Sequence, residues 1–342
     1  MVGVLVLTQT GEIQSILVVR LSSIGDIVLT TPLLEELRQA FPQARIDYCT
    51  KAPFEPLLAS NPVLSSVFTP ESIGSRHYDL VVDLQNNTRS RALVQGLNAG
   101  DVRRYRKKNW KKLLLVRLKM NLYGDGYRSV VDRYRGALDG IVPSVEAPCR
   151  IFPSAADHDF AVSAIGGVQP VLAICFGANH FTKRYPAESF AAVISAVLAS
   201  MPVRIILLGG KEDIAEGEKI MAGLTESDRE QVRSMAGAAT LMQSAALLAA
   251  SDLVLTNDTG LMHMASAFGK KIFLLFGSSV GEFGFLPWRT PYELFETEGL
   301  DCRPCSHIGR SSCPEGHFRC MRQISAQRVA AGIVETLKQA AR

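Results

Sequence analysis

Residues 251–276 read SDLVLTNDTGLMHMASAFGKKIFLLF, and the reading of this stretch decides the fold. Residues 253–255 are a short apolar run of the kind buried on both faces in a parallel sheet. The polar turn Asn257-Asp258-Thr259-Gly260 follows. Leu261, Met264, Ala265 and Phe268 then recur at helical spacing, Gly269 is a helix stop, and residues 272–276 form the next strand. A strand thus feeds a helix through small polar residues. The amino end of such a helix presents free N–H groups and a partial positive charge of roughly +0.5, so the turn can hold an anion. Gly260 lets a ligand approach the backbone and Thr259 offers a hydroxyl. The plainer alternative is that Asp258 or Thr259 caps the helix.

Around this unit lie 342 residues, long for one core and comfortable for two domains. Hydrophobic residues at 47% and charged residues at 20% describe an ordinary globular chain. The net charge of +4 is too mild to argue for nucleic acid. No apolar run approaches the ~20 residues of a membrane span. The start, MVGVLVLTQTGEIQ, has neither a basic n-region nor a cleavage site. That points to the cytoplasm, where the seven cysteines are expected to be mostly reduced.

Read in order, residues 15–21 (SILVVRL) are the first strand, running into SSIGDIVLTTP and a helix through Ala40. Gly25 eases the tight turn. Asp26 lies at the carboxyl end of that strand, the edge where open parallel sheets bind ligands; an N-cap is its plainer role. Strands are expected at 45–49, 65–68 and 78–84 with helical patterns among them, which argues for a parallel α/β sheet. Residues 102–119, VRRYRKKNWKKLLLVRLK, are the most basic stretch. Such a run is a solvated face, a nucleic-acid reader or a contact for an anionic membrane surface. Basic and apolar residues mixed on one expected helix favour an anionic amphiphile over a duplex.

Residues 141–156 carry three prolines and no helical period, and read as the link between domains. The division is residues 1–150, residues 151–324, and a closing helix over 325–342 that packs back on the domains. A second strand–helix series begins with VLAICFGA at Val171. Its loop, ANHFTKRYP, puts Lys183 at the carboxyl edge of the second sheet. There a lysine can neutralise a phosphate, or be an ordinary exposed loop residue. After the strand 204–208, Glu212 of GGKED can accept hydrogen bonds from a ribose. A helix over 240–250 leads into the opening stretch. Late in the chain Cys302, Cys305, Cys313 and Cys320 cluster; the CxxC start fits a zinc knuckle, with His307 or His317 as a substitute ligand. Their later spacing matches no common finger, and four reduced thiols near a surface turn are the alternative.

RLSSIGDIVLTTP after the first strand, TKRYP in the second half and NDTGLMHMASAFGK at the end together resemble glycosyltransferase family 9, the ADP-heptose:lipopolysaccharide heptosyltransferases. The CRPC…C…C segment also looks like many members. The resemblance implies a GT-B fold: two Rossmann-like parallel-sheet domains facing across a cleft, acceptor on the first and nucleotide sugar on the second, with domain closure excluding water. It implies inversion at the anomeric carbon, no required cofactor or metal, and ADP-heptose as donor. Carried over, Asp26 would be the general base and Lys183 would contact the diphosphate. Glu212 would hold the ribose; Met242, Asp258, Thr259, Gly260 and His263 would surround the rest of the donor. Ser23, Gly25, Arg103, Arg104, Arg106 and Lys107 would meet an anionic lipid-linked saccharide at the cytoplasmic face of the inner membrane, with no nucleic-acid partner. The chain departs from some relatives in having Gly177-Ala178-Asn179 in place of a threonine pair, and Tyr185 in place of tryptophan. A relative using another sugar or acceptor, or a two-domain binding protein without catalysis, are the competing readings.

Overall fold

Two all-parallel sheets carry the chain. In this computed structural model, residues 13–124, 129–143, 147–167 and 170–340 are described. Most of the N-terminal stretch read for a leader, residues 1–12, therefore lies outside them, as do residues 144–146 of the expected linker. The first sheet contains β1 (Ser15–Val19), β2 (Arg45–Cys49), β3 (Ser66–Phe68), β4 (His77–Asp83) and β5 (Asn98–Arg104), in the order β3-β2-β1-β4-β5. The second contains β6 (Val171–Cys175), β7 (Arg204–Leu208), β8 (Val232–Ser234), β9 (Leu253–Asn257), β10 (Lys271–Phe276) and β11 (Tyr292–Glu296), in the order β11-β10-β9-β6-β7-β8.

The inner strands are short apolar runs because helices cover both faces. Ile16 to Val19, Leu172 to Cys175 and Leu253 to Leu255 are wholly buried. Edge strands pair on one side only and need no such pattern. β5 shows this: NAGDVRR is half exposed and pairs with β4 alone. The expected helix over the whole basic stretch is therefore corrected. Val102 to Arg104 belong to β5, and a helix forms only at Asn109–Leu118.

Each sheet has one place where the chain reverses its direction of travel. From β1 it runs outward to β2 and β3, then returns to β4 on the other side of β1; from β6 it runs out to β7 and β8, then returns to β9. Ligands bind outside the carboxyl ends of strands at such switch points.

The chain divides into two compact units: residues 1–107 with 128–152, and residues 108–127 with 153–342. Segment 108–127 thus groups with the second unit, where the sequence division puts it in the first. Lys119 Nζ donates to the carbonyls of Cys302 at 3.1 Å and Pro304 at 2.8 Å, and Asn121 Nδ2 donates to Glu282 Oε1 at 3.1 Å. The terminal helix Ala326–Ala340 buries Val329, Ala330, Ile333 and Leu337 and packs on the helix Ala187–Leu198 of the same unit.

Candidate functional site

In the first unit Asp26 is not an N-cap. Ser23 caps the helix Ile24–Val28 and Asp26 is its third residue, where a carboxylate faces back to the free N–H groups of the first turn. The Ser23 backbone N–H and hydroxyl donate to Asp26 Oδ2 at 3.4 and 3.0 Å. Arg20, immediately after β1, places Nη2 at 2.7 Å from Asp26 Oδ1, and the Tyr134 hydroxyl donates to the same oxygen at 3.0 Å. Arg20 is itself fixed by the carbonyls of Ser22 and Leu84, each at 2.8 Å, and lies 5.5 Å from the Tyr134 ring centre. Burial works to raise the Asp26 pKa, but Arg20, Ser23 and Tyr134 outweigh it and hold the carboxyl below its ordinary value. Asp26 is therefore an ionised carboxylate with 18% of its side chain exposed.

The other first-unit residues are distributed around this carboxylate. Ser23 is exposed, and Gly25 lies inside the first helical turn rather than in a left-handed turn. Lys107 is exposed, and its pKa is lowered by loss of solvent and then by the Arg20 charge, while Asp83 and Asp26 act the other way. Arg106 is exposed. Arg103 pairs with Asp101 at 2.6 Å, and Arg104 stands 4.0 Å from the buried Asp83. Arg20 and Tyr134 escaped the sequence reading. Arg20 had a local signal, a charge breaking the apolar run SILVVRL at its carboxyl end; Tyr134 had none.

In the second unit β9 ends at Asn257 and, after two intervening residues, the helix Gly260–Ala267 starts. Thr259 is its N-cap but makes no side-chain cap bond. Asp258, 8% exposed, accepts from Ser279 Oγ at 2.8 Å and from Lys183 Nζ at 2.6 Å. The Asp258 carboxylate is thus taken up by Ser279 and Lys183. Asn257 ties the loop together, accepting from the Tyr185 N–H at 3.1 Å and donating to the Phe176 carbonyl at 2.6 Å. Lys183, Asp258 and a helix amino end thus converge at the β6/β9 switch point. His263 is 3% exposed, its ring centre 6.3 Å from that of Phe285. Met242 is buried in the helix Leu241–Ala250, which packs on Gly260–Ala267.

Glu212 is exposed in the turn Lys211–Asp213 after β7. Its neighbour Asp213 does the structural work there, accepting from the Gly210 N–H at 3.0 Å and standing 3.2 Å from Arg184. A Cβ on Gly177 would collide with the Asp213 carboxylate. Glycine is needed at 177 because this carboxylate occupies the space.

The cysteine segment is stitched to the same site. The Arg310 N–H donates to Thr182 Oγ1 at 2.9 Å, beside Lys183. Arg303 donates to the Ser279 carbonyl at 3.0 Å, and the Cys305 N–H to the Ser278 carbonyl at 3.2 Å. Burial, then the Lys112 and Lys183 charges, lower the His307 pKa. Cys302, Cys305, Cys313, Cys320 and His317 line one cavity of about 10 Å³. All four thiols are free. Among the described residues, however, no group of three or more His, Cys, Asp or Glu is placed to hold a metal ion. The segment also wraps the Lys183 loop through the bond from Arg310 to Thr182.

The comparisons with known proteins agree with this architecture. The model of glycosyltransferase family 9 (heptosyltransferase) matches residues 69–314. Lipopolysaccharide heptosyltransferase 2 of Escherichia coli K12 is 25% identical, over 92% of this chain and 96% of that protein. The solved E. coli ADP-heptose LPS heptosyltransferase II superposes with TM-score 0.75 at 21% identity, over 96% of this chain and 100% of that one. A family 9 glycosyltransferase from Veillonella parvula superposes with TM-score 0.76 at 21% identity, over 97% and 99%. Two Rossmann-like parallel sheets of this kind are the GT-B architecture, and the chain belongs to glycosyltransferase family 9, the heptosyltransferase family.

Proposed function

We propose that this chain transfers a heptose from ADP-heptose to an inner-core saccharide of a lipopolysaccharide precursor, at the cytoplasmic face of the inner membrane. The relatives named above supply the substrate class. What supports the reading most is the set of groups at the two switch points: Lys183, paired with Asp258, beside a helix amino end at one, and the ionised Asp26, paired with Arg20, at the other.

In this reading the acceptor hydroxyl oxygen bonds to the anomeric carbon from the face opposite ADP, so the centre inverts. ADP departs with the electron pair of the broken bond. Negative charge builds on its phosphate, where Lys183 and the N–H groups of Gly260–Ala267 supply fixed positive charge without a metal ion. Asp258, Thr259, His263 and Met242 complete the donor pocket, and Glu212 takes the ribose. The acceptor proton passes to Asp26. A carboxylate with a depressed pKa is a weak base, so its proton transfer must follow the acidification of the hydroxyl as the new bond forms. Ser23, Gly25, Arg103, Arg104, Arg106 and Lys107 meet the acceptor and its acidic groups.

The test is a panel of ADP-, UDP- and GDP-sugars incubated with purified protein and a heptose-deficient core acceptor. Release of ADP from ADP-heptose alone, acceptor-dependent and unaffected by chelator, is the expected result, with the product anomer opposite to the donor's. Acceptor-dependent UDP release would replace the donor assignment.

A further inference from the structure

We propose that the helix Asn109–Leu118 and the turn after it form a docking face for an anionic lipid bilayer, with Trp110 and Leu113 entering the interface. Most of this helix does not face the core. Leu115 is its one buried residue, while Trp110 is 55% exposed, Leu113 56% and Leu118 60%. Trp110, Leu113 and Arg117 stand at i, i+3 and i+7, one stripe opposite Leu115. Met120 at 49% and Leu122 at 40% continue the apolar surface. Five of the ten exposed large hydrophobic residues among the described residues fall in this one stretch, so it is a patch rather than a scatter.

Charge identifies the occupant. Residues 108–123 contain five lysines and arginines and no acidic residue. Within the patch, Lys111 lies with its ammonium 5.7 Å from both the Trp110 and the Tyr123 ring centres and donates to the Leu122 carbonyl at 2.7 Å. A long basic stem laid along aromatic surface with its charge at the rim is the arrangement an interface between hydrocarbon and headgroups favours. A nucleic acid would use the charges and leave the leucines in water; an anionic bilayer uses both. The face is also held firmly: Lys119 in left-handed backbone (φ 57°) turns the chain and its ammonium is fixed on two carbonyls of the cysteine segment. The inference deepens the transferase reading, since a lipid-linked acceptor lies at such a surface. Its test uses neither donor nor acceptor, so the two can fail separately.

The full chain carrying Trp288→Phe, so that Trp110 is its one tryptophan, is mixed with vesicles of phosphatidylcholine alone or with one-third phosphatidylglycerol. Sedimentation and tryptophan emission are read at rising salt. The expected result is binding to the anionic vesicles only, weakening with salt, with a blue shift of the Trp110 emission. Adding Leu113→Ser and Leu118→Ser should abolish most of the shift and weaken binding. Replacing a basic residue of the face, Lys108→Ala or Arg117→Ala, should weaken binding about fivefold each. Equal binding to neutral vesicles, no binding at all, or anionic binding with unshifted Trp110 emission would each overturn the proposal. Concentration-dependent self-association without vesicle binding would assign the face to a second copy instead.

Discussion

Asp26 already satisfies Arg20, Tyr134 and Ser23, which gives it two separable roles: a base, or an anchor for the loop after β1. Asp26→Asn keeps the shape and loses the charge. As a base, Asp26 predicts a fall in kcat of roughly 10²–10⁴-fold with the ADP Kd unchanged. As an anchor alone, it predicts a lowered Tm and near-normal turnover of the folded protein; kcat, Kd and Tm measured together decide. The depressed pKa has a sign. Its contribution to stability is complete above the unfolded value of about 3.9 and is lost as pH falls through the lower folded value. Arg20→Gln removes the principal group that lowers it, so the acid-unfolding midpoint and the acid limb of activity should both move to higher pH. In the other unit, Lys183→Ala should weaken ADP binding by about tenfold or more, as expected for a lost charged hydrogen bond. Unchanged ADP affinity in that variant would place the phosphates elsewhere.

Elements place these residues, and the helix Gly260–Ala267 offers the cleanest test. An N-cap threonine replaced by alanine usually costs about 1 kcal/mol. Thr259 makes no cap bond, so Thr259→Ala should cost clearly less, while ADP affinity falls if the hydroxyl serves the donor. A full capping loss with normal ADP binding would return Thr259 to a structural role. Gly177→Ala should do the reverse, because the added methyl meets the Asp213 carboxylate and must displace it from Gly210 and Arg184. Forcing atoms into a filled space typically costs about 1–3 kcal/mol, read as a lower denaturation midpoint. Three of the four edge strands, β5, β8 and β11, were not legible as strands, whereas the inner ones and the edge strand β3 were. An inner strand declares itself through continuous burial; an edge strand is defined by its single neighbour, which lies far along the chain.

At the scale of the molecule, the two units should answer ligand separately. Saturating ADP at 100 times its Kd adds about 2.7 kcal/mol to the state that binds it. Hydrogen exchange should slow around the carboxyl ends of β6 and β9 and in the helix Gly260–Ala267. The segment from Arg20 to Asp26 should exchange at its unliganded rate, and protection there on adding ADP alone would contradict the assignment of donor and acceptor. Among the described residues no helix is long and apolar enough to cross a membrane. The sequence by itself determined the alternating α/β class, the inner strands and the strand ends beside which Asp26, Lys183 and Asp258 lie. Each of these is written locally, in an apolar run followed by small polar residues. Only the tertiary structure decided that Arg20 and Tyr134 ionise Asp26, that Lys183 meets Asp258, that the cysteine segment wraps the Lys183 loop, and that segment 108–127 groups with the second unit. Those contacts join residues separated by up to more than a hundred positions, and local periodicity carries no information across such a distance.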